Sequence, residues 1–125
     1  MTLPVMVDRE QLKRSLGCND RFIDEMGKIL TLQLRPALVA MVHQLGNQDW
    51  AALSTNAHTL RGSVGALGAT LALDQLTELE RTTRESPDPL AVRQQVHDVC
   101  RTCLQLIDEL KPGQSAPASA DAASR

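Results

Sequence analysis

The chain has 125 residues, enough for one domain that buries a core without staples. Hydrophobic residues make up 42% of it, yet Phe22 and Trp50 are the only aromatics, and the net charge of −2 comes from acidic and basic residues mixed along the chain. Without a basic surplus or stacking aromatics it does not read as a nucleic-acid binder; no run approaches the roughly 20 apolar residues of a membrane span.

No signal-peptide pattern opens the chain, and three cysteines fit no disulfide framework, so a soluble cytosolic module is expected. The apolar spacing is helical throughout, with no alternating β-branched run. Asp8 caps a short first helix, with Gln11 three residues on and Val7 and Leu12 placed as a hydrophobic staple. Gly17 ends it. Asn19 or Asp20 caps a long second helix whose apolar face holds Phe22, Ile23, Met26, Leu30, Leu34, Ala37, Met41 and Leu45. Pro36 interrupts this helix, but the stripe keeps its phase across it, which predicts a kink rather than an end. Gly46 closes it.

Asn47 is the expected cap of the third helix, with Asp49 near its positive end. The core stripe there reads Trp50, Leu53, Ala57, Leu60, Val64, Leu67, and Gly68 follows where a left-handed glycine belongs. Thr70 starts a fourth helix with Leu73, Leu76 and Leu79 on its apolar side. Asp88-Pro89 opens a fifth after the Ser86–Pro89 loop, since proline's missing N–H costs nothing at the first helical position. Val92, Val96, Val99, Cys100, Cys103, Leu104, Ile107 and Leu110 line it, and Lys111, Pro112 and Gly113 stop it. Residues 113–125 are mostly Ser, Ala, Pro and Gln with no apolar period and read as a disordered tail. The expected fold is all-α: residues 1–112 form an antiparallel four-helix bundle with a short extra N-terminal helix.

The third helix carries an anomaly. Gly62 and Gly65 lie inside it, and each interior glycine costs about 0.8–1 kcal/mol relative to alanine. On a wheel of about 100° per residue, His58 lies about 160° from Leu60 and points at solvent. Ala51, Ser54, Thr55, Arg61, Gly62 and Gly65 share that outward face, and apart from Arg61 all are small. An ordinary solvated face carries Glu, Lys and Gln, which are better helix formers. Imidazole titrates at about 6.5, so a solvent-facing ring is mostly neutral at pH 7, the form that attacks phosphorus. Arg61, one turn on, keeps its charge and suits phosphoryl oxygens. The bland alternatives are an idle surface histidine and glycines that serve close helix packing, though the wheel puts both glycines away from the apolar stripe.

The run Ala57-His58-Thr59-Leu60-Arg61-Gly62-Ser63, then Leu67-Gly68-Ala69, then Leu76 and Leu79-Glu80, resembles the histidine phosphotransfer (HPt) domain family over roughly residues 5–110. The resemblance implies a phosphorelay intermediate: His58 accepts a phosphoryl group, through its outer ring nitrogen, from a receiver-domain aspartyl phosphate and passes it to another receiver aspartate. It implies that Arg61 stands in for the family's usual lysine and that Gly62 admits the receiver's catalytic loop. Gly65, Ser54 and Thr55 extend the receiver-contacting face, while Glu80 and Arg84 match supporting positions on the next helix. The implied partners are response-regulator receiver domains and a hybrid sensor kinase, of which this chain could be a module. No cofactor is expected on the domain itself, with Mg²⁺ belonging to the receiver, and no metal site, nucleic acid or membrane is expected to bind. A monomer is expected. No Gly-rich phosphate loop or kinase signature occurs, so the reading is a phosphocarrier rather than an enzyme. The competing reading is a helical scaffold that binds receivers or kinases without carrying phosphate.

Other constellations are weaker. Cys100-Arg-Thr-Cys103 has the C-x-x-C spacing but no strand beside it and no second pair, which favours core packing. His43 and His97 read as surface residues. Glu80 falls among leucines on its wheel and either orients a group across the bundle or marks the core boundary. Gln33 falls on the apolar side of its helix, as a candidate hydrogen-bond partner near the histidine.

Overall fold

The computed structural model describes residues 7–111. Among them are five helices and no strand: α1 (Arg9–Leu16), α2 (Asp20–Gly46), α3 (Trp50–Ala66), α4 (Thr70–Glu85) and α5 (Pro89–Glu109). The segment 113–125, read from sequence as a tail, lies outside the described residues, as does Pro112.

Local capping sets the boundaries. Asp8 Oδ1 accepts from the Gln11 N–H at 3.1 Å, and Val7 and Leu12 are both buried beside it. Gly17 ends α1 at φ +64. Asn19, not Asp20, caps α2, its Oδ1 accepting from the Phe22 N–H at 3.0 Å. Helix α2 runs unbroken through Pro36. The cap expected at Asn47 lies elsewhere: Asp49 Oδ1 accepts from the Ala52 N–H at 3.2 Å, while the Asn47 N–H closes α2 on the His43 carbonyl at 3.0 Å. Reversal between antiparallel helices takes the three residues 47–49, with Gln48 at φ +52, so the cap moves to the last of them. Pro89 is the first residue of α5, as its sequence position requires.

Helices α2 and α4 each pack against both α3 and α5, which closes a ring around one core, and α1 lies on α2. Ile23, Leu34, Met41, Leu53, Leu76 and Leu79 are fully buried within it. Two expected core residues are outside: Phe22 and Leu104 are each 50% exposed. The buried seam of α5 advances in steps of three and four through Val92, Val96, Val99, Cys103, Leu106 and Leu110, which excludes Leu104 and brings in Leu106. On α2 the face is centred on Ile23 and Leu34, so Leu38 is buried and Phe22 turns outward. Gly27 is also buried, against α5: a Cβ there would lie 2.8 Å from the Leu110 carbonyl oxygen. That close approach had no signature in the apolar pattern. Arg9 fastens α1 to α2 through Asp24 at 2.9 Å.

Candidate functional site

Helix α3 ends in a Schellman arrangement. The Gly68 N–H bonds the Gly65 carbonyl at 3.0 Å, the Ala69 N–H bonds the Val64 carbonyl at 3.1 Å, and Gly68 takes φ +71. This turn aligns α3 with α4 and sets their register. His58 and Glu80 each stand eleven residues from Ala69, and in an antiparallel helix pair such positions face each other.

Their side chains meet. His58 has 68% of its side chain exposed, while Glu80 is buried. His58 Nδ1 lies 3.0 Å from Glu80 Oε2, and Arg61 Nη1 donates to Glu80 Oε1 at 2.7 Å. Arg84 Nη1 reaches Oε2 at 3.4 Å from one turn along α4. The Arg61 guanidinium holds the Glu80 carboxyl below the usual glutamate range against the opposing effect of burial, and His58 adds to the lowering. Glu80 is therefore a carboxylate at neutral pH and only accepts hydrogen bonds. Nδ1 of His58 must then carry the proton and donate it, which leaves the lone pair on Nε2, the outer nitrogen. When the ring is neutral, this arrangement presents Nε2 as an oriented nucleophile.

The cleared face of α3 divides in two. Ala51, Thr55 and Gly62 are exposed around His58, and a Cβ added at Gly62 would meet nothing within 4 Å. Gly65 is exposed too, but a Cβ there would contact the Leu73 methyls at 3.9 Å, so it borders α4. Ser54 corrects the sequence reading: it is buried, not on the open face. It shares the flank of α3 that carries Arg61 and Gly65, and α4 covers that flank more widely than the apolar stripe indicates.

Gln33 also differs from expectation. It is exposed, beside Ile29, Ser63 and Ala66 in a shallow groove between α2 and α3, whereas the partner of His58 comes from α4. Arg61 does not stand free beside the ring but is paired inward with Glu80. Thr77 and Arg81, which the sequence did not single out, join Arg61, Glu80, Arg84 and Glu85 around a depression of about 420 Å³. Arg81 is itself held by Glu78 and Glu85. A count outward from the Gly68 turn is the sequence signal that pairs His58 with Glu80.

The remaining candidates stay apart from this site. Cys103 is buried and its thiol is pushed up to about 12, by burial first and by Cys100 second. His43 and His97 are exposed. Among the described residues no group of three or more His, Cys, Asp or Glu side chains is placed to hold a metal ion, and no helix is long and apolar enough to cross a membrane.

A sequence model of the Hpt domain family matches residues 19–113. No curated protein and no solved structure matches the chain.

Proposed function

The chain belongs to the Hpt domain family, phosphotransfer modules of two-component phosphorelays, and we propose that His58 is the residue through which it carries phosphate. Hpt domains are phosphocarriers rather than catalytic enzymes, and they work with receiver domains and kinases. The observation that carries the assignment is the exposed imidazole whose Nδ1 faces a buried, ionised Glu80.

In the proposed step, Nε2 of His58 attacks the phosphorus of a receiver aspartyl phosphate. The Nε2–P bond forms, the Asp O–P bond breaks, and the aspartate leaves as a carboxylate. The reverse attack by another receiver's aspartate regenerates the neutral ring. Glu80 keeps the proton on Nδ1 throughout and is a positioning residue. Gly62 and Thr55 border the space the receiver's loop enters, and Gly65 extends it. Mg²⁺ and the acidic pocket belong to the receiver, and Arg61 and Arg84 supply positive charge near the phosphoryl oxygens. Ser54 is left out of this contact because it is buried, and Gln33 because it borders a different groove.

The reading extends to architecture and context: an antiparallel four-helix bundle with α1 as the short extra helix, a bundle domain over 1–112, and a monomer in the cytoplasm. It has no ATP site of its own, whether free-standing or part of a hybrid sensor kinase. The test is incubation of the purified domain with a phosphorylated receiver and Mg²⁺. An acid-labile label on the domain, absent from His58→Gln, is the expected result. Stable binding without transfer identifies a scaffold and overturns the assignment.

A further inference from the structure

Helix α2 buries one face and leaves a second apolar seam on the opposite side. Phe22, Ile29, Leu32, Pro36 and Val39 recur at spacings of seven, three, four and three, and all are exposed, Leu32 by 75%. This is the a/d pattern of a coiled-coil seam, and it points out of the bundle rather than into it. A monomeric surface ordinarily scatters such residues instead of aligning them.

The flanks of the seam are unequal. Arg21, Lys28 and Arg35 recur every seven residues along one side, while Met26, Gln33 and Ala40 occupy the other. Among the described residues Arg21 and Arg35 have no acidic partner, and Lys28 has only the exposed Glu25 at 3.3 Å. The nearby acids Asp20 and Asp24 are turned to α1, where they meet Arg9 and Lys13. The seam is thus apolar along its midline, Glu25 excepted, and cationic on one edge.

We infer that this outer face of α2 is a docking surface for an amphipathic helix of a partner protein, with an apolar heptad seam and acidic residues on the edge facing Arg21, Lys28 and Arg35. Charge complementarity selects that occupant over a second copy of this chain. Antiparallel self-pairing sets the basic edge against itself, and parallel pairing sets it against a neutral edge with no electrostatic gain. The narrow seam, with Glu25 on its midline and only three cations, suits a helix better than a lipid surface. The surface does not reach α4, which holds His58 through Glu80, although α2 packs against α3 and Ile29 borders Ser63 and Ala66 there.

The probe is a fluorescent four-heptad peptide with leucine at a and d and glutamate at e and g, whose own charge keeps it from self-pairing. Anisotropy should show saturable one-to-one binding to the full chain. Binding should weaken at least tenfold in Leu32→Glu and for a peptide with lysine at e and g. Lys28→Glu with Arg35→Glu should reverse the preference between the two peptides. Leu32→Glu should keep the wild-type rate of phosphotransfer from a receiver. Four results overturn the inference: no binding, binding indifferent to Leu32 and to charge, binding to phosphatidylserine vesicles but not to the peptide, or a wild-type dimer in sedimentation that Leu32→Glu dissociates. Loss of phosphotransfer in Leu32→Glu also overturns it, because the seam is then part of the receiver contact.

Discussion

Glu80 Oε2 stands 3.0 Å from Nδ1 of His58, so a buried carboxylate on α4 fixes the proton of an exposed ring on α3. Glu80→Ala removes that fixing and leaves Arg61 without its counter-charge. A charge-assisted hydrogen bond contributes about 1.5–3 kcal/mol, and losing about 1.4 kcal/mol of it from the transition state slows transfer roughly tenfold. Nitrogen NMR of His58 should show the Nε2–H tautomer gaining population in the variant. An unchanged tautomer ratio with wild-type transfer contradicts the positioning role.

Acid should erode stability through the same residue. The folded carboxyl titrates below its ordinary value of 4.5, so between the two values the unfolded chain binds more protons and stability rises with pH. The contribution is complete above pH 4.5 and is lost as pH falls through the lower folded value. Urea midpoints of wild type and Glu80→Gln should therefore converge on acidification from pH 7 to 3. A gap that stays constant over that range removes the effect from Glu80.

Gly62→Gln separates folding from docking. The position is helical and open, so the change should raise stability by about 0.5–1 kcal/mol or leave it level. Transfer from a receiver should nevertheless slow, because a long side chain now stands one turn from the imidazole. Wild-type transfer rates in this variant exclude steric access as the reason for the glycine.

Gly27→Ala is the opposite case. The new Cβ meets the Leu110 backbone at 2.8 Å, and backbone cannot swing aside. A loss of about 1–3 kcal/mol is expected in urea titration, with His58 chemistry retained in the folded protein. An unchanged midpoint shows that α2 and α5 part easily there.

Thiol labelling tests the C-x-x-C reading. At pH 8 the native Cys103, with its thiol pushed up to about 12 and its side chain buried, should resist a disulfide reagent until the chain unfolds. Rapid labelling of native Cys103 excludes a core role.

Much of the fold is legible in the order of residues because capping and periodicity act over a few positions. Asp8, Asn19, Gly68 and Pro89 each mark a helix end by an interaction within one turn, and the stripe through Leu53, Ala57, Leu60 and Val64 declares which side of α3 is buried. The exposure of His58 and the bare contour at Gly62 follow from the same wheel. Errors fell where a neighbouring helix decides. Ser54 is polar and outward on the wheel, yet it is buried; Phe22 and Leu104 are apolar, yet half of each stays exposed.

Sequence alone determined five helices, most of their ends and one histidine on cleared ground, since each rests on short-range geometry that a single helix contains. The tertiary structure decided that Glu80, twenty-two residues away, accepts from that histidine and pairs with Arg61, and that α2 keeps a cationic, apolar edge in solvent. Those facts depend on which helices touch and in what register, and packing across the bundle sets both.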